Sequence, residues 1–406
     1  MKTLKIGMFG FGCVGTGLFE VINKTKHFPA IIEKIVVKNP NKKRIYNNVS
    51  LSFDPDFILR DKNIDVVVEL INNSDEAFEI VRAAICTGKH VITANKKLLA
   101  ENLTELIELA RQNNVSLLYE GAVAGSIPII RNLEEYYNND SLTRIEGIVN
   151  GTTNYILTQA NKGVSYQQAL KTAQEKGFAE AEPTLDVDGF DAKFKLVILL
   201  KHAFGINVKP HEIPNIGIRN IKPQDILIAQ EKLWRIKLFA KSIKTEKGVI
   251  AYVAPHAINN SHSAFYVDDE FNAVIVEAAF ADKQLFYGKG AGSYPTASAV
   301  LSDISALQLG YKYEYRKSID SSLFLNQSDS VRVYVGSTHL DTLNSIEFEE
   351  VEDLYIGKEY TYRIGLVHFD VLCQIDWNNR KDLSILFLPE ENANNHVKLS
   401  YEFLEN

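Results

Sequence analysis

The sequence predicts an α/β fold: a doubly wound parallel sheet at the N-terminal end, then an α+β domain and a small strand-rich C-terminal module. Three observations lead to this prediction. Short apolar runs alternate with longer helical patterns over the first 120 residues, a glycine-rich turn follows the first apolar run, and polar and aromatic strand-like runs dominate beyond about residue 316. Alternation of strands and helices is typical of a parallel sheet covered by helices on both faces.

The elements of the first predicted domain follow one another in a regular order. LKIGMFG at residues 4–10 predicts a buried strand, and VGTGLFEVINK at residues 14–24 predicts the helix after it. The same alternation predicts further strands at residues 34–38, 65–70, 90–94 and 115–120, and further helices at residues 75–89 and 97–114. We expect residues 1–130 to form this domain, completed by a helix over residues 295–312.

Residues 131–294 are predicted to form a second domain that mixes helices and strands. SYQQALKTAQEKG and GFDAKFKLVILLKHAFG predict helices, and Gly205 is expected to end the second one. KGVIAYVAPHAI and DEFNAVIVEAA predict strands. SVRVYVGS and EYTYRIGLVHF predict further strands, so residues 316–406 are expected to form an accessory module.

Composition and charge restrict the class of protein. With 406 residues, of which 46% are hydrophobic, the chain is long enough for two or three domains. A net charge of -7 argues against a nucleic-acid partner, and no apolar run approaches the roughly 18 residues that span a membrane. The three cysteines Cys13, Cys86 and Cys373 are scattered, which is typical of a cytoplasmic protein without a disulfide framework or a zinc site.

A glycine-rich turn in the first domain predicts a dinucleotide site. Glycines at positions 10, 12 and 15 have the G-x-G-x-x-G spacing directly after a predicted strand and at the start of a predicted helix. Such glycines allow a tight turn and a close approach of the backbone to a pyrophosphate, whose charge the helix N-terminus attracts. The fold is therefore predicted to be Rossmann-type, and a packing turn without a ligand is the alternative. The predicted binding loop consists of Gly10, Phe11, Gly12, Cys13, Val14 and Gly15.

The residues after the second strand favour NADP(H) over NAD(H). An NAD site usually has an acidic residue there to bind the ribose 2'-hydroxyl, whereas this chain has Lys38 and Asn39 and then Lys42, Lys43 and Arg44. Cations attract a 2'-phosphate, which a carboxylate would repel. We expect NADP(H) as the preferred cofactor with NAD(H) as the alternative; a solvated basic loop is the other interpretation.

Seven stretches occur in a fixed order along the chain: GFGCVG, DVVVELI, GKHVITANKKLLA, YEGAVAGSIPII, GIVNGTTNYIL, GFAEAEPTLDVDGFDAKFK and GKGAGSYPTASAVLSD. Together they resemble homoserine dehydrogenase over residues 4–312. The resemblance implies a nicotinamide-dependent enzyme that interconverts L-homoserine and L-aspartate 4-semialdehyde, on the route from aspartate to threonine and methionine. It also implies that the second domain serves catalysis and dimerisation in a homodimer.

The acidic segment at residues 178–195 contains the residues that suit this chemistry. Asp191 and Lys195 lie four residues apart in a predicted helix, so both side chains leave the same face. Hydride transfer to an aldehyde requires a proton donor for the developing alkoxide, and a lysine can supply that proton. An ordinary surface salt bridge in a solvated acidic loop is the alternative. His202 lies two turns further along and is expected to be packed rather than catalytic.

The resemblance implies roles for individual residues in this segment and before it. Lys195 matches the acid/base of the family, Asp191 matches a position close to the substrate, and Lys96 is expected to reach both substrate and cofactor. Glu180 is expected to accept the ammonium group of the substrate. The remaining predicted substrate-binding residues are Asp186, Gly151 and Thr152.

Several backbone positions are predicted to approach the cofactor or a cation. Thr93 ends a parallel strand, and Asn150 begins a strand-to-helix turn, where a simple N-cap is the alternative role. A second glycine loop with close backbone approach consists of Gly288, Gly290 and Gly292. The resemblance further implies a monovalent cation, sodium or potassium, bound largely through the carbonyl groups of Glu120, Val123, Gly125 and Ile127.

The sequence also departs from the family pattern. Asn72 and Asn73 stand where two glycines are usual, and Ser126 where a glycine is frequent, so cofactor or cation contacts are expected to differ. Residues 318–406 lack the Asp-x-Pro-Gly turn of a regulatory ACT domain, so threonine inhibition is not expected. Rival interpretations are a different two-domain NADP-dependent oxidoreductase and a non-catalytic cofactor sensor.

Overall fold

The computed structural model of the chain describes residues 3–25, 28–39, 49–138, 140–319 and 322–389. The basic residues Lys42, Lys43 and Arg44, on which part of the NADP prediction rests, lie outside the described residues. Within these ranges the chain forms one parallel sheet and one mostly antiparallel sheet.

The N-terminal elements are β1 (Leu4–Phe9), α1 (Cys13–Lys24), β2 (Ala30–Val36), β3 (Ser50–Ser52), α2 (Asp56–Leu59), β4 (Val66–Glu69), α3 (Ser74–Cys86), β5 (His90–Thr93), α4 (Lys96–Gln112) and β6 (Leu117–Leu118). Their described strands are all parallel, in the order β3-β2-β1-β4-β5-β6. This is the Rossmann order, and its direction reverses between β1 and β4. Ligands bind in such sheets beyond the carboxyl ends of the strands at that point.

The elements that follow are α5 (Ile129–Glu134), β7 (Leu142–Ile148), α6 (Gly151–Asn161), α7 (Tyr166–Glu175), α8 (Thr184–Val187), α9 (Phe190–Phe204), α10 (Pro223–Glu231), β8 (Arg235–Thr245), β9 (Gly248–Ile258), β10 (Phe271–Ala278), β11 (Asp282–Lys289) and α11 (Ser293–Gln308). The strands pair antiparallel in the order β11-β10-β7-β8-β9. Helix α9 carries apolar residues on all its faces, and it is buried along nearly its whole length. It packs against both α4 and the second sheet. Its N-terminal end therefore lies where the domain of the first sheet meets the domain of the second sheet.

Helix α11 returns to the first sheet, as predicted for residues 295–312. A Cβ atom at Gly17 in α1 would lie 2.4 Å from the Ser293 hydroxyl oxygen, so only glycine allows this close approach. The Ser293 hydroxyl donates a hydrogen bond to the carbonyl oxygen of Cys13 at 2.7 Å. The second glycine loop, which precedes α11, is thereby held beside the first.

The described part of the C-terminal module contains, in chain order, β12 (Ser330–Ser337), α12 (Leu340–Asn344), β13 (Glu350–Ile356), β14 (Thr361–His368), α13 (Phe369–Cys373) and β15 (Leu383–Phe387). Its sheet order is β15-β12-β14-β13, and β15 joins the second sheet through a single pair, Phe387 with His256 of β9. The βαββαβ order is ferredoxin-like.

Two further differences from the sequence prediction concern strands. The strand predicted at residues 115–120 is only Leu117–Leu118, because a 3-10 helix begins at Glu120. No strand was predicted at β7 (Leu142–Ile148), which pairs with β8 and β10 among the helices of this region. Both partners of β7 lie more than 80 residues along the chain, so no local pattern reports them.

Candidate active site

The first glycine loop lies between β1 and α1 and has the geometry of a pyrophosphate site. Gly10 has a φ of 94°, and a Cβ atom there would lie 2.6 Å from the carbonyl oxygen of Leu70. A Cβ atom at Gly15 would lie 2.4 Å from the carbonyl oxygen of Gly10, so this glycine lets the helix pack on the strand. Among the described residues, a Cβ atom at Gly12 would meet nothing within 4 Å, so this part of the loop leaves room where a pyrophosphate would lie. These residues fit a dinucleotide.

The carboxyl ends of β4 and β5 are joined by a buried carboxylate. Glu69 accepts hydrogen bonds from the Thr93 hydroxyl at 2.5 Å and from the backbone N–H of Ile71 at 2.6 Å. The Thr93 hydroxyl oxygen also accepts from the backbone N–H of Asn95 at 3.0 Å. Burial raises the pKa of the Glu69 carboxyl to about 7, although both hydrogen bonds oppose that shift. Glu69 thus holds together the two loops that line one wall of the cleft described next.

A cleft of about 250 Å³ lies between the glycine loops and α9. Of the predicted site residues, it is lined by Val14, Lys96, Gly125, Lys195, Gly290 and Gly292. Lining residues that the sequence did not indicate include Asn95, Ala291 and Thr296. A larger cavity, of about 600 Å³, lies near Trp234 and Tyr266 and includes no residue of the glycine loops or of α9. The smaller cleft is therefore the one that brings cofactor-binding and titratable groups together.

A buried cluster centred on Asp191 forms one wall of the cleft. Lys195 donates hydrogen bonds to Asp191 Oδ2 at 2.7 Å and to the carbonyl oxygen of Val149 at 2.6 Å. Lys96 reaches Asp191 Oδ1 at 2.8 Å from the N-terminal end of α4. The side chains of Asp191 and Lys195 are only 6% and 9% exposed, which excludes the surface salt bridge that the sequence left open.

The charges in this cluster shift one another's pKa values. Burial lowers the pKa of Lys195; Asp191 opposes this shift and Lys96 adds to it. Burial tends to raise the pKa of Asp191, but the two lysines outweigh it and hold that pKa well below its usual range. The pKa of Lys96 is raised, chiefly by Asp191 and more weakly by Asp186 and Glu180. Lys195 is thus the cation of the cluster that releases its proton more readily than an ordinary lysine.

Asn150 connects the start of α6 with the acidic segment. Its Oδ1 accepts the backbone N–H of Thr153 at 2.8 Å, so it caps the helix. Its Nδ2 donates to Asp186 at 2.7 Å and to Asp191 at 2.9 Å. The side chain is thereby committed to the helix cap and to the cluster. The N-cap role is confirmed, and the cofactor role of Asn150 stays a prediction.

The other predicted substrate residues lie around this cluster. Thr152 is buried and its hydroxyl donates to the carbonyl oxygen of Phe178 at 2.5 Å. A Cβ atom at Gly151 would lie 2.6 Å from the carbonyl oxygen of Glu270, so the backbone is closely packed there. Glu180 is exposed, and its negative charge is close enough to raise the pKa of Lys96. The carboxylate of Glu180 is therefore free to meet a cation that enters from solvent.

Some predicted cofactor residues lie beside the cleft rather than in its wall. Phe11 is buried against Phe19, with the ring centroids 5.7 Å apart. Thr93 is fully buried behind the cleft and binds Glu69. Cys13 is an exposed free thiol at the start of α1. Lys38 is exposed and its ammonium lies 3.0 Å from the Glu76 carboxylate, an acid that the sequence pattern did not place there.

The loop of residues 120–127 fits a monovalent cation through its backbone. The Glu120 carboxylate accepts the backbone N–H groups of Ile130 at 2.8 Å and Arg131 at 2.9 Å, so its side chain is occupied. Ala124 and Gly125 both have positive φ, which turns the loop sharply. Among the described residues, no hydrogen-bond donor reaches the carbonyl oxygens of Val123 and Gly125, although both residues are buried. Buried carbonyl groups normally have a partner, and a cation can be that partner.

The structure explains the residues at which this chain departs from the family pattern. It also explains the position of His202. Asn73 caps α3 by accepting the backbone N–H of Glu76 at 2.9 Å, and Asn72 lines the cleft. The Ser126 hydroxyl donates to the carbonyl oxygen of Lys289 at 3.1 Å. His202 is buried, with Nε2 2.8 Å from the Tyr119 hydroxyl, so its packed role is confirmed.

Asn272 is a residue beside the site that the sequence analysis missed. It is fully buried on β10, and neither its Nδ2 nor its Oδ1 has a hydrogen-bond partner within the described residues. A Cβ atom at Gly290 would lie 1.8 Å from Asn272 Nδ2, so the second glycine loop passes directly over this amide. A polar residue directly before the apolar run AVIV of this strand was the available signal.

Sequence comparisons associate both domains with one family. A family model described as homoserine dehydrogenase matches residues 128–305, and one described as homoserine dehydrogenase, NAD binding domain, matches residues 10–120. The homoserine dehydrogenase of Lactococcus lactis is 41% identical over 314 residues, covering 74% of this chain and 73% of that protein.

Comparisons with solved structures agree. The crystal structure of a homoserine dehydrogenase from Thiobacillus denitrificans superposes with a TM-score of 0.83 at 29% identity, over 96% of this chain and 99% of that one. A hyperthermophilic archaeal homoserine dehydrogenase in complex with NADPH superposes with a TM-score of 0.65 at 26% identity, over 77% of this chain and 99% of that one. The similarity to the first of these structures extends through the C-terminal module.

Proposed function

Because this chain belongs to the homoserine dehydrogenase family, we propose that the Asp191 cluster is the centre at which it interconverts L-homoserine and L-aspartate 4-semialdehyde. The activity is an NAD(P)-dependent oxidation of a primary alcohol, or its reversal, in the route from aspartate to threonine and methionine. A nicotinamide bound in the cleft supplies or accepts the hydride. The single observation that supports this centre best is the buried ammonium of Lys195 in the wall of that cleft.

We assign proton transfer to Lys195. In aldehyde reduction its ammonium donates a proton to the developing alkoxide, and in alcohol oxidation its neutral amine removes that proton. Its lowered pKa is suited to this exchange, because an ordinary lysine would hold its proton too firmly at neutral pH. Asp191 and the carbonyl oxygen of Val149 fix the position of the Lys195 Nζ atom.

The amino-acid end of the substrate is assigned to the groups around this centre. Glu180 and Asp186 present negative charge to the substrate ammonium, and Lys96 presents positive charge to the substrate carboxylate. Gly151 and Thr152, where the backbone is closely packed beside this centre, are assigned to substrate binding as well. This division uses opposite charges to orient a zwitterion, so that its reacting carbon faces the nicotinamide.

NADP(H) is proposed as the preferred cofactor. Support comes from Lys38, two residues after the end of the second strand, and from the archaeal relative whose structure contains NADPH. Glu76 beside Lys38 partly neutralises that ammonium, so the preference is expected to be moderate. The second glycine loop, at Gly290 and Gly292, is assigned to the cofactor as well.

A monovalent cation is proposed for the loop of residues 120–127. Its ligands would be carbonyl oxygens of Glu120, Val123, Gly125 and Ile127, since the Glu120 carboxylate is already occupied by backbone N–H groups. Such an ion would hold the loop that contributes Gly125 to the cleft wall. Thermal stability should then rise with sodium or potassium chloride but not with choline chloride of equal ionic strength.

A cytoplasmic homodimer is proposed as the assembly. The hairpin of β10 and β11 exposes Phe280, Leu285 and Tyr287 at the open edge of the second sheet, a patch that an isologous contact would cover. Cys13 and Cys86 are free and exposed, which suits a reducing compartment. None of the helices in the described ranges has the length and apolar character to cross a membrane. Light scattering that finds a monomer at micromolar concentration would contradict the dimer.

The test of the proposed centre is an assay of the purified protein with L-homoserine and each nicotinamide cofactor. We expect oxidation of homoserine with both cofactors and a higher kcat/KM with NADP. Turnover of other primary alcohols without the ammonium and carboxylate groups should be far slower, because the charged groups around Asp191 would have no partners.

A further inference from the structure

The turn before α9 determines where the two central carboxylates lie. Residues 187–189 end α8, which carries Asp186, and lead into α9, which carries Asp191. Gly189 adopts a φ of 82°, so the chain reverses sharply there. A small displacement of this turn would therefore move both carboxylates relative to Lys195 and Lys96.

A segment from another part of the chain supports this turn. We call residues 215–220 the strap. The backbone N–H of Ile218 donates to the carbonyl oxygen of Val187 at 2.7 Å, and Asn215 Nδ2 donates to the carbonyl oxygen of Asp188 at 2.6 Å. A Cβ atom at Gly217 would lie 2.2 Å from the Val187 carbonyl oxygen, so the strap lies directly against the turn.

The strap is in turn held by one side chain of the C-terminal module. Asn378 Oδ1 accepts the backbone N–H of Gly217 at 2.8 Å. Asn378 Nδ2 donates to the carbonyl oxygens of Asn215 at 3.3 Å and Asp188 at 3.4 Å. The Asn378 amide thus contacts both the strap and the turn before α9.

The position of Asn378 is itself well defined. The preceding residue, Trp377, is buried, and its indole N–H donates to the carbonyl oxygen of Leu372 at 2.9 Å. Asn220 Nδ2 of the strap donates to the carbonyl oxygen of Trp377 at 2.6 Å. The loop that carries Asn378 is therefore fixed on its own module and on the strap at the same time.

We infer that Asn378 is a positioning residue for the amino-acid substrate: by holding the strap against residues 187–189, the C-terminal module places Asp186 and Asp191 for substrate binding. This inference rests on the proposed assignment of the acidic segment to the substrate. Within the part of the chain that the structure describes, no contact of Asn378 leads to the glycine loops, which belong to the opposite wall of the cleft. Loss of the amide should therefore weaken binding of homoserine and leave binding of NADPH unchanged.

The chain offers a matched control at the next position. Asn379 is exposed, and among the described residues its Nδ2 donates within its own loop, to the Asp376 carboxylate at 2.7 Å. Asn379→Ala removes the same atoms from the same loop without touching the strap. Asn378→Asp keeps the volume and the acceptor for Gly217, but directs an anionic oxygen at the carbonyl groups of Asn215 and Asp188.

The experiment measures homoserine KM, kcat, NADPH dissociation constant and melting temperature for the full-length variants. Asn378→Ala should raise the homoserine KM by about three- to tenfold, the effect of losing two or three neutral hydrogen bonds that act indirectly, and should lower kcat less than it raises KM. Asn378→Asp should raise KM further. Asn379→Ala should match the parent, and the NADPH dissociation constant should be the same in all four proteins.

The outcomes separate this inference from the site assignment. If Glu180→Ala raises the homoserine KM but Asn378→Ala behaves like Asn379→Ala, the inference is wrong and the site assignment stands. If Glu180→Ala has no effect, the site assignment itself fails. Hydrogen exchange of the amides at residues 187–189 provides a second readout on the same proteins: faster exchange in either Asn378 variant is expected, and unchanged exchange overturns the inference even where one variant is too unstable to assay.

Discussion

Replacement of Lys195 by alanine tests the central assignment most directly. The change removes the ammonium whose hydrogen bonds reach Asp191 Oδ2 at 2.7 Å and the carbonyl oxygen of Val149 at 2.6 Å. Acid–base catalysis by a positioned side chain contributes roughly 10² to 10⁴ in rate, which corresponds to about 3 to 5 kcal/mol of activation free energy. We therefore expect kcat to fall by that factor while the NADPH dissociation constant stays nearly constant.

The structure also indicates that this variant will fold. Breaking a buried ion pair costs several kcal/mol when it leaves the partner charge alone. Here Asp191 retains Lys96 at 2.8 Å and Asn150 Nδ2 at 2.9 Å, so its charge remains compensated. A circular dichroism melt should place the melting temperature of the variant close to that of the parent.

The pH dependence provides a second signature of Lys195. Because its pKa is lowered, the ammonium loses its proton at lower pH than an ordinary lysine. Aldehyde reduction needs the protonated form, so its kcat/KM should fall as pH rises through that pKa, whereas homoserine oxidation should gain rate over the same range. Both limbs should disappear in Lys195→Ala.

Lys195→Arg distinguishes proton transfer from simple charge stabilisation. A guanidinium retains a positive charge near Asp191 but does not release its proton at accessible pH. We expect this variant to be nearly as slow as Lys195→Ala. A fast arginine variant would refute the acid–base role in favour of electrostatics, and a Lys195→Ala enzyme that retained most of its turnover would refute both.

Three further predictions address the substrate, the cofactor and a buried acid. Glu180→Ala should raise the homoserine KM roughly tenfold or more with a smaller change in kcat, because the variant lacks a charged hydrogen bond to the substrate ammonium. Steady-state assays in both directions of the reaction measure this effect. Lys38→Ala should lower kcat/KM with NADP and leave the NAD value unchanged; equal values for the two cofactors in the parent would contradict the NADP preference. In urea titrations, the free energy of unfolding of Glu69→Gln should increase relative to that of the parent as pH rises from 5 to 8. The reason is that burial raises the pKa of Glu69 from 4.5 to about 7, so ionising it at high pH costs the folded parent up to roughly 3 kcal/mol; a constant difference would show that Glu69 titrates normally.

The periodic features of the fold were accessible from the sequence because they depend on neighbouring residues. The strand at residues 4–10 is observed as Leu4–Phe9, and the helix at residues 75–89 as Ser74–Cys86. SVRVYVGS forms β12 over its full length. The short helices α12 and α13 were missed, since five residues are too few to establish a helical period.

The candidate site was predictable only in part. The spacing of Asp191 and Lys195 indicates a shared helix face, and the structure confirms that they touch. The same spacing occurs in exposed pairs such as Lys171 with Glu175, so it says nothing about burial. Burial, which lowers the pKa of Lys195, results from the packing of α9 between α4 and the second sheet.

The sequence by itself determined the first glycine loop, the alternation of strands and helices, and the family to which the motifs point, because each is a pattern of close neighbours. Only the tertiary structure decided which distant groups meet. Lys96 reaches Asp191 from another domain, Lys195 meets a carbonyl group 46 residues away, and Asn378 meets Gly217 across 161 residues. Such pairs depend on how whole helices and sheets pack, since hydrogen bonds and charges act over a few ångströms in space regardless of separation along the chain.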